Sequence, residues 1–346
     1  MTAIACAVAV LAGGAAGVPV AEVYAGYFAA AGRILLPALL VFAIPLWIRA
    51  MARGVPQPVV ALRNHLSQRL ASADQAAATF TPIVLMILLM AAFGTLKQLM
   101  PLVTPFYLDD FLAAVDRALF LGHQPWRLTH WLFASPLSTQ VINFIYFLWL
   151  PLLFIAVLGF SALASGPQRA RFFVSFGASW LLLGVGAAFL LSSAGPCYSA
   201  LISASSAAEF APLMERLHAM DASGQTVGAL HWQQELWAAH SERRYGLGLG
   251  VSAMPSMHNA IAFLYVLAAS RSALWVRGAT WLFAVAILIG SVHLGWHYAA
   301  DGLFAWAAMA AIWWGAGAYL KRCGYAVDCT APVQASVEEL PEPLTT

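Results

Sequence analysis

Four ionisable residues carry the strongest chemical signal in this chain: His258, His293, His297 and Asp301. Each lies at the edge of an apolar stretch. Charged and titratable groups are costly at a membrane span, so those that are retained there mark function by default. His258 sits in Ala253-Met254-Pro255-Ser256-Met257-His258-Asn259, where an apolar run begins. Proline favours the first turn of a helix, and the unpaired N–H groups of that turn form a ready anion site. The other three lie in Ser291-Val292-His293-Leu294-Gly295-Trp296-His297-Tyr298-Ala299-Ala300-Asp301-Gly302. Spacings of four put His293, His297 and Asp301 on one face of a continuous helix. Three chemistries are open to this set. Imidazoles and a carboxylate can move protons. A stripe of His293, His297 and Asp301 can ligate zinc in a metal-dependent membrane hydrolase. The groups can also form a polar cluster that only packs helices, in a non-enzymatic membrane protein. Ser256 either caps its helix or contacts a phosphate, and His293 fits a helix-packing role as well as a catalytic one.

The elements that position these residues follow from composition. Of 346 residues, 62% are hydrophobic and 9% charged, against about 25% charged in a soluble domain. Seventeen Lys+Arg and fifteen Asp+Glu cannot solvate the surface of a soluble protein this long. That excludes a soluble enzyme, a disordered chain and a nucleic-acid-binding module. A net charge of +2 points to no partner. Spanning helices need about 20 mostly apolar residues. The candidates are Ala3–Val20, Tyr27–Ile48, Phe80–Met100, Leu137–Ala164, Phe172–Ser193, Met257–Ala273, Thr280–His293 and Gly302–Leu320. The expected fold is all-α, a polytopic transmembrane helix bundle of about eight spans.

The connectors orient it. Ala50–Ala78 is polar and basic, and Pro105–Pro136 mixes acids and aromatics like amphipathic helices lying at the interface. On that reading Asp109, Asp110 and Asp116 are solvated. The one sizeable polar region, 195–252, contains Trp232 and Trp237, expected to anchor it at the interface, and the pair Arg243–Arg244. Alternating spans place Arg49, Arg53, Arg63, Arg69, Arg169, Arg171, Arg271, Arg277, Lys321 and Arg322 on one side. Arg117, Arg127, Arg216, Arg243 and Arg244 fall on the other. The richer side is cytoplasmic, so His258, His297 and Asp301 share the opposite face, periplasmic in a bacterial inner membrane. Lys97, near one end of its span, is expected to snorkel to the interface. The N-terminus lacks a basic signal-peptide n-region, and no cleavage is expected. Cys6, Cys197, Cys323 and Cys329 show no metal-ligand spacing and suggest no disulfide framework. The tail, with Pro332, Pro341 and Pro343, is expected to be disordered.

Pro255-Ser256-Met257-His258, followed by His297-Tyr298-Ala299-Ala300-Asp301, resembles the type 2 phosphatidic acid phosphatase superfamily. Its motifs are K-x6-R-P, P-S-G-H and S-R-x5-H-x3-D. Met257 replaces the glycine of the second, while Ser291 stands at the arginine and Gly290 at the serine of the third. Gly195-Pro196 can stand at R-P, but no lysine precedes it at the right distance. The H-Y-x-x-D form without the arginine, and Ser193-Ala194-Gly195-Pro196-Cys197-Tyr198, are more similar to the lipid phosphotransferase branch, the inositol phosphorylceramide and sphingomyelin synthases. The resemblance covers roughly Phe80 to Leu320 and implies a six-helix core over 80–320 with an extracytoplasmic loop at 195–252. Residues 1–79 would then be N-terminal helices with a basic connector, and 321–346 a cytoplasmic tail. It implies His297 as the nucleophile on phosphorus, Asp301 as the acid that orients it, and His258 as general acid and base, without metal or other cofactor. Arg243, Arg244 and Ser256 are the expected phosphate-binding residues, with Lys97 a further candidate cation. The implied partners are the bilayer and a phospholipid or other lipid phosphate, with water or a lipid hydroxyl as acceptor, and no nucleic acid.

Overall fold

A computed structural model describes residues 1–52, 57, 59–60, 63–64, 67, 72–162, 164 and 166–325. Arg53 and Arg69 of the basic connector, Cys329 and the proline-bearing tail from 326 lie outside the described residues. Those described are all-α. Helices α1 (Thr2–Ala15) and α2 (Val20–Ala52) precede α3 (Ala73–Val103), then the short helices α4 (Asp109–Leu119) and α5 (Pro125–Leu132). An apolar span follows as α6 (Pro136–Phe147) and α7 (Trp149–Ala162), broken at Leu148. Pro151 explains the break, because it has no N–H to donate to the carbonyl of residue 147. The next helix, α8 (Gly166–Ser179), runs on through a π-helical stretch, Trp180–Ala187. The long polar region folds as α9 (Ala204–Ala222) and α10 (Gly228–Ser241). The chain then forms α11 (Met257–Ala268), α12 (Leu274–His293) and α13 (Ala299–Arg322).

Among the described residues, five stretches are long and apolar enough to cross a membrane: Ala73–Val103, Pro136–Ala162, Gly166–Leu190, Leu274–His293 and Ala299–Arg322. The protein is an integral membrane helix bundle. Two apolar helices are shorter than expected from hydropathy. The 14 residues of α1 reach about 21 Å, less than the ~30 Å hydrocarbon core. Its Ala5, Ala9 and Gly13 are buried at helical spacing, and this small-residue stripe lets it lie close against α3. A Cβ at Gly13 would stand 2.9 Å from Thr95 Cγ2.

The other short helix, α11, ends at Ala268 rather than Ala273. It is enclosed on all sides, with Ala260, Ile261, Ala262 and Leu264 wholly inaccessible. A helix apolar all round belongs inside a bundle, and α11 packs against α8, α12 and α13. Gly302 makes the close approach possible: a Cβ there would meet Leu288 Cδ1 at 2.4 Å and Asn259 Cγ at 3.1 Å. The N-termini of α11 and α13 are thereby brought side by side.

The two helices of the 105–136 connector are amphipathic as expected, with Phe111, Leu119, Leu128 and Trp131 exposed. Their acids are not all solvated. Asp110 is exposed, but Asp109 and Asp116 are buried. Seven residues apart, these two share the helix face that turns inward.

Candidate active site

Three connecting segments meet at one end of the bundle. The Ala253 N–H donates to the Ser193 carbonyl at 2.8 Å, and the Cys197 N–H to the Gly295 carbonyl at 2.8 Å. The stretch at 193–198 is thus pinned between the approach to α11 and the turn from α12 to α13. Gly195 is required here. Its φ is 104°, and a Cβ would lie 2.5 Å from the Trp296 carbonyl oxygen, a clash with backbone that no side-chain motion relieves.

The expected continuous helix from His293 to Asp301 does not form. Helix α12 stops at His293, and Gly295 turns the chain with φ 75°, the left-handed termination that glycine supplies. The turn re-aims His297, whose N–H donates to the Ser291 carbonyl at 3.0 Å. Its Nδ1 lies 3.4 Å from Asp301 Oδ2, within ion-pair reach though looser than a hydrogen bond. Asp301 is fully buried in the first turn of α13. Its Oδ2 accepts the Tyr298 N–H at 3.1 Å, and its Oδ1 has no partner among the described residues.

Two further carboxylates hold this turn from behind. Asp116 accepts the N–H groups of Ala299 and Ala300, each at 2.8 Å, and so caps the first turn of α13 with negative charge where the helix favours it. Burial nevertheless pushes its carboxyl up to about 7, against the pull of those two N–H groups, and the neighbouring Asp301 charge adds to the rise. Asp109 accepts from the Ser193 hydroxyl at 2.9 Å, the Ala194 N–H at 3.0 Å, the Gly195 N–H at 2.8 Å and the Tyr298 hydroxyl at 3.1 Å. One buried carboxylate thus ties the Ser193–Gly195 stretch to the residue that follows His297.

His258 is placed differently. It is the second residue of α11, after the N-cap Ser256. Its ring is stacked on Tyr146 at 4.8 Å and tilted against Trp149 at 4.2 Å. The Trp149 indole N–H donates to the His258 carbonyl at 3.1 Å. Tyr146 also stacks on Trp296 at 6.4 Å. The break before Trp149 and the turn at Gly295 together build this aromatic box. The His258 and His297 rings face each other with centroids 6.2 Å apart, too far to bond one another and close enough to act on one atom between them.

Of the residues expected at the site, the structure brings together His258, His297 and Asp301. His293 points elsewhere. Its ring lies 2.9 Å from Thr139 Oγ1 and 3.3 Å from Thr129 Oγ1, and its carbonyl accepts from His130 Nε2 at 2.9 Å. That bond fixes the proton of His130 on Nε2, and burial keeps the ring neutral, lowering it to about 4. The stripe of His293, His297 and Asp301 needed for zinc is therefore not assembled. Ser256 is fully buried, and its hydroxyl accepts from the Asn259 N–H and side-chain amide at 3.4 and 3.0 Å, which is the capping role. Arg244 is exposed and paired with Glu235 at 2.7 Å and Glu242 at 2.6 Å, so its guanidinium is already engaged. Arg243, Arg244, His240, Gln98 and Gly250 border a small open recess beside α3.

The contributors absent from the sequence reading are Asp109, Asp116, Tyr146 and Trp149. The i, i+7 spacing of the two aspartates on an amphipathic helix was a usable signal for a shared buried face. For the aromatics no signal existed, because only tertiary packing brings α6 and α7 to His258.

A sequence model of the PAP2 superfamily matches residues 110–315. The match takes in both histidines, Asp301 and Asp116, and begins one residue after Asp109. No curated protein and no solved structure matches the chain.

Proposed function

This chain belongs to the PAP2 superfamily, and on that footing we propose that it is a lipid phosphatase or lipid phosphotransferase working through a phosphohistidine. The observation that carries the mechanism is the facing of His258 and His297 with Asp301 behind His297. With Nδ1 turned to Asp301, Nε2 of His297 is the free nucleophile. It attacks phosphorus, the bond to the leaving oxygen breaks, and His258 gives that oxygen its proton. Asp301 holds the tautomer and balances the positive charge on the phosphorylated ring. In the second half, His258 takes the proton of an acceptor hydroxyl, whose oxygen attacks phosphorus and releases His297.

The acceptor decides the reaction. Water yields a phosphatase, and a lipid hydroxyl yields a transferase. The H-Y-x-x-D form and the Ser193–Tyr198 stretch favour a transferase of the inositol phosphorylceramide synthase kind. The proposed setting is a bacterial inner membrane with the site toward the periplasm, because Lys and Arg concentrate on the opposite connectors. Arg243, on the rim of the recess, would meet anionic headgroups there, beside Arg244 held by its two glutamates.

The test is incubation of purified protein with phosphorus-labelled phosphatidic acid and phosphatidylinositol, with and without ceramide. Release of free phosphate marks a phosphatase, and a new phospholipid marks a transferase. His297→Ala is expected to lose turnover of both lipids by at least 10³-fold, the scale on which a nucleophile acts. Undiminished turnover in that variant would sink the phosphohistidine.

A further inference from the structure

The site as described has a charge problem. The carboxyl groups of Asp109, Asp116 and Asp301 are buried around it, and the phosphoryl group of a substrate brings negative charge that none of them can meet. The family motif's arginine is replaced by Ser291, its lysine is missing, and Arg244 is held by two glutamates. A phosphoryl group bound here needs a cation facing it.

Helix α3 carries one to the right place. Phe93 and Met257 converge on Gly184: a Cβ there would meet the Phe93 ring at 3.0 Å and Met257 Sδ at 3.5 Å. The residue before His258 is therefore a neighbour of α3. One turn further along α3, a Cβ at Gly250 would meet Lys97 Cγ at 3.2 Å, and the Gln98 side chain accepts the Gly246 N–H at 2.7 Å. The segment leading into His258 is thus bonded to α3 at Gly246, lies against Lys97 at Gly250, and comes near α3 again at Met257.

Lys97 is also unpaired. Among the described residues its ammonium has no hydrogen bond and no carboxylate partner, and it is only partly exposed beneath the 246–250 segment. An unpaired ammonium held within a helix bundle disfavours the empty protein, and it is useful when an anion arrives. Snorkelling does not describe it, because Gly250 lies against the side chain at Cγ. We propose that Lys97 is the phosphate-binding cation of this active site, contacting a non-bridging oxygen of the phosphoryl group and standing in for the absent motif arginine and lysine. The proposal rests on the lipid-phosphate reading for its substrate, and on the geometry of α3 for its residue.

The experiment compares full-length wild type with Lys97→Met, Lys97→Gln and Lys97→Arg in detergent. The probes are phosphatidic acid as substrate, and inorganic phosphate and orthovanadate as inhibitors and as ligands in thermal-shift titrations. Lys97→Met and Lys97→Gln are expected to lower kcat/KM by about 100-fold, the scale of one lost transition-state donor. They should weaken phosphate and vanadate by at least tenfold. The Tm without ligand should not fall, because an unpaired buried charge is being removed; a lower Tm in both would mark a structural lysine and overturn the proposal. Lys97→Arg is expected to regain most anion binding. Loss against phosphatidic acid alone, with phosphate and vanadate unaffected, would place Lys97 at the lipid backbone and overturn its phosphoryl role. Vanadate stabilisation equal to wild type in Lys97→Met overturns it too. Both results leave the active-site reading intact. Failure of wild type to turn over any lipid phosphate defeats that reading instead, and the vanadate thermal shifts still decide whether Lys97 binds the anion.

Discussion

The two histidines face each other across one gap, yet the protein holds them by opposite means. His297 stands in a polar scaffold: Asp301 lies beside its ring, Asp116 clasps the helix start that carries Asp301, and Asp109 binds the Tyr298 hydroxyl next door. His258 stands in an aromatic box of Tyr146 and Trp149, and no carboxylate bonds its ring among the described residues. The difference matches the chemistry proposed for each. A ring that becomes phosphorylated gains lasting positive charge and needs a negative neighbour. A ring that passes a proton back and forth must not be fixed in its charged form, and apolar surroundings keep it free to give the proton up.

The largest effect should come from breaking the polar side. Asp301→Asn keeps the shape and removes the charge, so the tautomer of His297 is no longer enforced. The expected cost is about 10⁴-fold in kcat, the scale seen when a triad acid is made neutral. It should be independent of the leaving group, because the defect lies in the nucleophile. Initial rates on phosphatidic acid and on a p-nitrophenyl phosphate ester check this together. A loss under tenfold would remove the contrast between the two histidines.

The aromatic side should yield less and with a different signature. Tyr146→Leu removes the stack on His258 and leaves the backbone in place. It is expected to lower kcat by about tenfold, a fraction of the 10²–10⁴ that a general acid contributes. The loss should shrink toward none with a p-nitrophenolate leaving group, which departs without a proton. An equal loss on both substrates would mean that Tyr146 supports the fold and not proton transfer.

The same division governs what the sequence made legible. The all-α membrane class followed from charge scarcity and apolar runs, since lipid permits little else. His258, His297 and Asp301 were readable because titratable groups are rare enough at the spans to stand out. The turn at Gly295 was readable in principle, yet i, i+4 spacing favoured a continuous stripe and drew His293 into a set it does not join. Asp109 and Asp116 were misplaced because an acid on an amphipathic helix usually faces water, and the donors that let these two be buried, the Ser193 and Tyr298 hydroxyls and the N–H groups of Ala194, Gly195, Ala299 and Ala300, meet them in the folded chain alone. Ser256, Arg243 and Arg244 stood out by type and position. Which of their polar atoms are already engaged depends on Asn259, Glu235 and Glu242, and those pairings arise in the folded chain alone.

The smallest effect concerns how the polar scaffold responds to pH. Asp116 has its carboxyl raised by burial to about 7 from the ordinary 3.8. Between those values the folded protein holds a proton that the unfolded chain has released. Stability therefore falls as pH rises from about 4 to about 7, and is level in this respect on either side. Asp116→Asn cannot titrate, so the difference in Tm between wild type and variant should change across that window and be flat above it. The helix start it holds carries Asp301, so wild-type activity should drift across the same window, and that drift should be absent in Asp116→Asn. Thermal melts in detergent at half-unit steps from pH 4 to 9 measure the first expectation. A flat difference through pH 4–7 would mean that the Ala299 and Ala300 N–H groups outweigh burial and keep Asp116 ionised throughout. The polar side of the site would then be a fixed charge scaffold rather than one that loosens as it ionises.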